Sequence, residues 1–243
     1  MNTNEKIDYI SNWIKDYSVN NNFSSLVIGI SGGIDSAVTS TLSAKTGLKT
    51  FVANMPILDH KDTNQRGINH INWLKHNFDN IIDLKIDLSL VFESFKSVLS
   101  NNNSEHGYAN SQARLRMMTL YQIAASNNGI VVGTGNKVED FGIGFYTKYG
   151  DGGVDISPIA DCLKTEVWEI GKELKISKDI IDAPPTDGLW NDGRSDEDQV
   201  GLSYFEIEEA MLNESSINRE KYLEIRKNNI HKMKPIPICI IPK

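Results

Sequence analysis

Two kinds of apolar pattern alternate along this chain. Short runs rich in β-branched residues, at 26–30, 50–54, 81–86 and 130–132, read as strands buried between helices. Between them, apolar residues recur every three or four positions and read as helices. Residues 4–18 place Ile7, Ile10, Trp13, Ile14 and Tyr17 on one face. Ala37, Val38, Leu42 and Ala44 mark a second helix, stopped by Gly47. Ile68, Ile71, Trp73 and Leu74 mark a third, after a polar loop at 59–65. Leu90, Val91, Phe95 and Val98 mark a fourth, capped by Asp87 or Ser89. After a polar run at 100–106, a long helix over 108–127 ends at Gly129. Further helices are predicted at 164–175, 204–212 and 219–227, before a tail at 230–243 with three prolines.

Strands alternating with helices predict an α/β fold, a Rossmann-like parallel sheet flanked by helices and joined by right-handed crossovers. The expected strand order is 3-2-1-4. Ligands of such sheets bind beyond the carboxyl ends of the strands, where the order reverses. Two strands there end in glycines, Gly32-Gly33 after the first and Gly133 and Gly135 after the fourth. The stretch 136–161 is punctuated by glycines and aromatics and reads as a long ordered functional loop. The polar stretch 183–199 reads as a lid, with Ser195 capping a helix behind it. No repeat or linker divides the chain, so residues 1–243 are expected to form one domain.

The first glycine turn carries the chemistry. In Ser31-Gly32-Gly33-Ile34-Asp35-Ser36 a strand turns into a helix through two glycines. Such a turn lets backbone N–H groups approach an anion, and the helix N-terminus adds unpaired donors and partial positive charge. Asp35 is placed for a Mg²⁺ shared with phosphates. The stretch is neither a Walker A loop nor a dinucleotide Gly-x-Gly-x-x-Gly. A formal charge of −7 and pI near 5.3 argue against a nucleic-acid footprint. No apolar run is long enough to span a bilayer and no signal peptide is read, so no membrane partner and a cytoplasmic location are expected. Cys162 and Cys239 form no metal or redox spacing and read as free thiols.

The string Ser31 to Ala37 resembles the pyrophosphate loop of the ATP pyrophosphatases, an adenine nucleotide alpha hydrolase-like group that splits ATP to AMP and pyrophosphate. Three further strings narrow the resemblance: Asn110-Ser111-Gln112-Ala113-Arg114-Leu115-Arg116-Met117, the run from Gly144 to Gly153, and Ser195-Asp196-Glu197. Together they resemble the ammonia-dependent NAD synthetases across nearly the whole chain. The resemblance implies amidation of deamido-NAD by ammonia through an acyl-adenylate. It implies that Gly29, Ile30, Ser31, Gly32, Gly33, Ile34, Asp35 and Ser36 hold ATP, with Thr134, Lys164 and Thr186. Asp35 and Glu139 would bind Mg²⁺, and Asp35 and Lys164 would serve catalysis. Arg114, Lys148, Asp155, His231 and Lys232 would bind deamido-NAD. Asp151 or Asp155 is placed to help deprotonate ammonium.

The resemblance also implies a homodimer, with ATP, deamido-NAD and free ammonia as the partners. A glutaminase domain is not expected in a chain of this length. One departure stands out: from Glu139 to Lys148 the spacing is one residue longer than the family's. Residues 56–65 and 100–106 also look divergent and short, at positions that would border the substrate. The nearest alternative amidates nicotinate mononucleotide by the same chemistry. More distant ones are a tRNA-modifying ATP pyrophosphatase and a non-catalytic nucleotide sensor.

Overall fold

The computed structural model describes residues 1–57, 61–186 and 195–242, with residues 61 and 62 as backbone only. Four parallel strands form a sheet in the order β3-β2-β1-β4. They are β1 Ser25–Gly29, β2 Lys49–Asn54, β3 Ile81–Lys85 and β4 Gly129–Val131. This is the order expected from the sequence. The helices are α1 Thr3–Asn20, α2 Ile34–Lys45, α3 Lys61–Asn77, α4 Ser89–Val98 and α5 Glu105–Ser126. After a π-helix, Lys137–Ile143, come α6 Lys164–Glu173, α7 Lys178–Ile181, α8 Asp196–Val200, α9 Tyr204–Leu212 and α10 Arg219–Met233. Among the described residues, no helix is long and apolar enough to cross a membrane.

β1 lies between β2 and β4, with Val27 opposite Phe51 on one side and Val131 on the other. Its side chains alternate between two apolar layers. Leu26, Ile28 and Ile30 pack into the larger core with α1, α2, α3 and α6, where Ile14, Leu42 and Leu74 are fully buried. Val27 points the other way, to Ala124 and Leu120 of α5. A separate apolar cluster joins the π-helix to α9 and α10 through Val138, Ile143, Ile207 and Tyr222. The chain thus carries a second packed unit beside the sheet, and the two meet at the carboxyl end of β4.

Several elements differ from expectation. α3 begins at Lys61, so residues 61–65 are helical where a loop was predicted; residues 59 and 60 lie outside the described residues. The Thr63 carbonyl packs against Gly32, a contact the sequence pattern does not reveal. α5 begins three residues early, because Ser104 Oγ accepts from the Gly107 N–H at 3.2 Å and caps it. The residues predicted as the buried face of α4, Leu90, Val91, Phe95 and Val98, are exposed; Phe92 carries its packing instead. Trp13 and Tyr17 are likewise partly exposed, whereas Ile7, Ile10 and Ile14 are buried.

The largest difference falls after β4. The stretch read as a long loop from 136 opens with the π-helix, ended by Gly144 at φ +69°. A π-helical turn holds more residues than an α-turn. α10 also runs on to Met233, so His231 and Lys232 lie in its last turn and not in the tail.

Candidate functional site

The glycine turn between β1 and α2 is held by its own serines. Ser31 Oγ accepts from the Gly33 N–H at 3.2 Å and lies 3.0 Å from Ser36 Oγ, which donates to the Gly33 carbonyl at 3.0 Å. Gly32 has φ +87°, and a Cβ there would collide with the Thr63 carbonyl of α3. Arg66 of α3 donates Nε to the Gly32 carbonyl at 3.4 Å. α3 therefore packs against the turn, and both line the cavity.

The second glycine-bearing strand end faces the first. Asn136, fully buried, joins them. Its Oδ1 accepts from the Val138 and Glu139 N–H groups, capping the π-helix, and its Nδ2 donates to Asp35 Oδ1 at 3.0 Å. Lys164, the first residue of α6, is 2 % exposed and sends Nζ between two carboxylates. Asp35 Oδ2 is 2.6 Å away and Glu139 Oε1 2.8 Å. Tyr204 Oη lies 2.5 Å from the same Glu139 oxygen.

These contacts set the charges. Burial works against the Lys164 ammonium, yet Asp35 and Glu139 outweigh it and hold the ammonium above the ordinary lysine value. Burial also works against both carboxylates. For Glu139 the opposing pull of Lys164, with hydrogen bonds from Lys164, Tyr204 and Asn136, wins and keeps it below the usual range. Asp35, buried beside that second carboxylate, is raised in spite of Lys164. Two carboxylates and one ammonium leave a net negative centre. Hard oxygen donors that already share one cation suit Mg²⁺. Among the described residues no third His, Cys, Asp or Glu joins them, so phosphates and water would complete the coordination.

The centre opens into a cavity of about 970 Å³. Its far wall comes from α5, the run 144–153 and α10. Arg114 donates Nε to the Lys148 carbonyl at 3.3 Å, and Lys232 donates to the Tyr146 carbonyl at 2.9 Å. Tyr149, just after these supports, has φ +61°, an uncommon conformation for a non-glycine residue. Asp140 and Asp151 also line the cavity. Burial and the neighbouring Asp151, Glu139 and Asp35 push Asp140 well above the usual carboxylate range. Enclosure by the cavity walls raises Asp151 to about 6, against the pull of backbone N–H groups and Lys232. Gly135 is required here because a Cβ would strike the Asp140 carboxylate.

The fold gathers nearly all the residues singled out in the sequence. Gly29, Ile30, Ser31, Gly33, Ile34, Asp35, Ser36, Thr134, Glu139, Lys164 and Thr186 line the cavity, and so do Arg114, Lys148, His231 and Lys232. Gly32 does not; it shapes the turn. Asp155 stands outside. Its Oδ1 accepts from Tyr121 at 3.0 Å and its Oδ2 from the Val131 N–H at 2.7 Å, so its carboxylate closes the edge of β4. Thr63, Asn64 and His106 line the cavity too, which puts both divergent segments at its border. Sequence reasoning gave no role to Asn136, Asp140 or Tyr204. Asn136 stood next to a glycine turn in the string, and Tyr204 followed Ser195-Asp196-Glu197, but only folding brings them to Asp35 and Glu139.

Comparison with known proteins agrees with this geometry. The family model for NAD synthase matches residues 6–236. An NH₃-dependent NAD⁺ synthetase from Carboxydothermus hydrogenoformans is 37 % identical over 216 residues, 87 % of this chain and 86 % of the relative. The NMN synthetase structure from Francisella tularensis superposes with a TM-score of 0.90 at 34 % identity, covering 100 % of this chain and 99 % of that one. The NH₃-dependent NAD synthetase structure from Campylobacter jejuni gives 0.80 at 25 % identity, covering 99 % and 100 %. The chain belongs to the NAD synthase family, a family of ATP-dependent ligases.

Proposed function

We propose that this protein amidates the nicotinate carboxylate of deamido-NAD with free ammonia, through an acyl-adenylate. The observation that carries this reading is the single cavity. It joins a phosphate-type glycine turn, a cation-holding carboxylate pair and a basic far wall. A carboxylate does not react with ammonia as it stands, because oxide is a poor leaving group. In the first step a carboxylate oxygen attacks the α-phosphorus of ATP and pyrophosphate leaves. In the second, ammonia attacks the acyl carbon, AMP leaves and a proton is lost.

The N–H groups of the turn and the α2 N-terminus hold the phosphates. Lys164 sits at the same end and is placed to follow the charge that builds on the departing pyrophosphate. Mg²⁺ held by Asp35 and Glu139 would supply Lewis-acid stabilisation of that charge. Arg114, Lys148, His231 and Lys232 bind the acid substrate, with cations suited to its phosphates. Asp151 faces this part of the cavity with its carboxyl raised to about 6, and takes the proton of ammonium. Asp155 has both oxygens engaged, which favours Asp151 for that task. The reading includes one ATP pyrophosphatase domain over residues 1–243, a homodimer and a cytoplasmic setting.

A second reading has its own observation. The Francisella NMN synthetase covers the whole chain with a TM-score of 0.90, which favours nicotinate mononucleotide as the acid substrate. One assay separates the two. The protein is incubated with Mg-ATP and ammonium and either acid, and products are resolved by chromatography. Amide and AMP from deamido-NAD are the expected result. Turnover of the mononucleotide alone would replace the first reading with the second. ADP in place of AMP would overturn the adenylate mechanism in both.

A further inference from the structure

Tyr204 is the first residue of α9 and is 2 % exposed. Its hydroxyl faces two carboxylates, Glu139 Oε1 at 2.5 Å and Asp196 Oδ2 at 3.2 Å. A phenol carries one proton and can donate it once. An ordinary phenol keeps that proton at neutral pH. The shorter contact receives it. Glu139 Oε1 thus accepts from both Tyr204 and Lys164. Two donors converging on one oxygen fix the plane of that carboxylate. The ring contributes as well: it lies 4.8 Å from Lys164 Nζ and edge-on to Trp168 at 6.0 Å.

The string Ser195-Asp196-Glu197 meets Tyr204 at both ends. Glu197 Oε1 accepts from the Tyr204 backbone N–H at 2.9 Å, while Asp196 stands beside the hydroxyl. Ser195 caps the short helix that presents both acids.

We propose that Tyr204 is a positioning residue that sets the Glu139 carboxylate for a divalent cation, and that Glu197, which accepts from its backbone N–H, holds Tyr204 for this task. The proposal rests on the reading of Asp35 and Glu139 as a cation site. Outer hydrogen bonds of this kind change metal affinity about 10- to 100-fold when removed. They do so without touching the metal or the substrate.

Tyr204→Phe removes the hydroxyl and keeps the ring over Lys164. Mn²⁺ binding is followed by electron paramagnetic resonance in the presence of a non-hydrolysable ATP analogue, and the Mg²⁺ dependence of AMP release is measured beside it. Mn²⁺ affinity should fall about 10-fold or more. The Mg²⁺ concentration for half-maximal rate should rise by a similar factor, while the rate at saturating Mg²⁺ stays within about 3-fold of wild type. Glu197→Ala, which removes the acceptor of the Tyr204 backbone N–H, provides a second variant with a smaller shift in the same direction. The double variant should be no worse than Tyr204→Phe, since both act through one hydrogen bond. Wild-type Mn²⁺ affinity in Tyr204→Phe would overturn the proposal, as would a lower saturated rate with an unchanged Mg²⁺ requirement. If the wild-type protein binds Mn²⁺ and turns over neither acid, the proposed substrates are wrong and the positioning role is still decided by the Mn²⁺ titration. If it binds no Mn²⁺ with the analogue, the cation site itself falls and the proposal with it.

Discussion

The two glycine-bearing strand ends reach the same cavity by different means. After β1, the chain turns through Gly32 and Gly33 directly into an α-helix whose first turn carries Asp35. The serines of the turn satisfy one another, and α3 packs against it. After β4, the chain enters a π-helix that carries Glu139 and Asp140, and Asn136 and Lys164 tie it back to Asp35. The first turn's own hydrogen bonds are local, made by residues within six positions of each other. The second is built by contacts from distant segments: Lys164, Tyr204 and Asp35 all reach it across the fold. A phosphate cradle needs only backbone N–H groups and glycine freedom, so local sequence suffices. A cation site needs two carboxylates brought together against their repulsion, and that takes tertiary structure.

The comparison is tested most severely at Asp35, the residue the two ends share. Asp35→Ala should remove a charge-stabilising interaction worth several kcal/mol, on the order of a 10³-fold loss in the rate of AMP formation. Circular dichroism should show an intact fold, because Asp35 lies on a helix start and not in the core. Near-normal AMP release in this variant would detach Asp35 from the metal site.

A smaller effect is expected at Asn136, where the cap and the link to Asp35 can be separated. Asn136→Ser keeps an N-cap oxygen but cannot reach Asp35; stability should hold while activity falls about 10-fold, the lower range for loss of an outer hydrogen bond. Asn136→Ala loses both, with about 1 kcal/mol and ~2–4 °C of melting temperature. Equal activity for the serine variant and wild type would show that the link to Asp35 has no part in the reaction.

The smallest effect on activity, and a distinct one on stability, concerns the scaffold of the first end. His70 of α3 is 2 % exposed and shares a 3.0 Å hydrogen bond with Ser40 of α2. Burial lowers its pKa from 6.5 to about 4. Unfolded chain therefore binds more protons than folded protein between those values. Stability is full above pH 6.5 and is lost as pH falls toward 4, by ~3 kcal/mol for this group. Denaturant unfolding at pH 7 and pH 4.5 should show a shallower acid loss in His70→Gln than in wild type, with AMP formation at pH 7.5 unchanged. An identical acid limb in the two proteins would remove His70 from the account.

Much of the fold was legible because its elements follow local rules. β1 and α2 are written in apolar runs and helical spacing, and Gly47, at φ +76°, ends α2 as its position suggested. The strand order followed from where the glycines fall. α4 was misread because its spacing is amphipathic whichever side faces inward, and the packing of Phe92 alone decides the side. Asp155 was legible as a polar residue beside the Gly-rich run, but its partners Tyr121 and Val131 come from elements more than twenty positions away.

The sequence by itself determined the turn at Ser31–Ser36, the alternation of strands and helices around it, and the family to which such a turn belongs. Those depend on backbone conformation and near-neighbour spacing, which a short string encodes. Tertiary structure alone decided that the segment after β4 is a π-helix, that Lys164 stands between Asp35 and Glu139, and that Tyr204 reaches Glu139 from the far side. Each of these balances a buried charge against partners from other parts of the chain, and that balance exists only once the chain has folded around it.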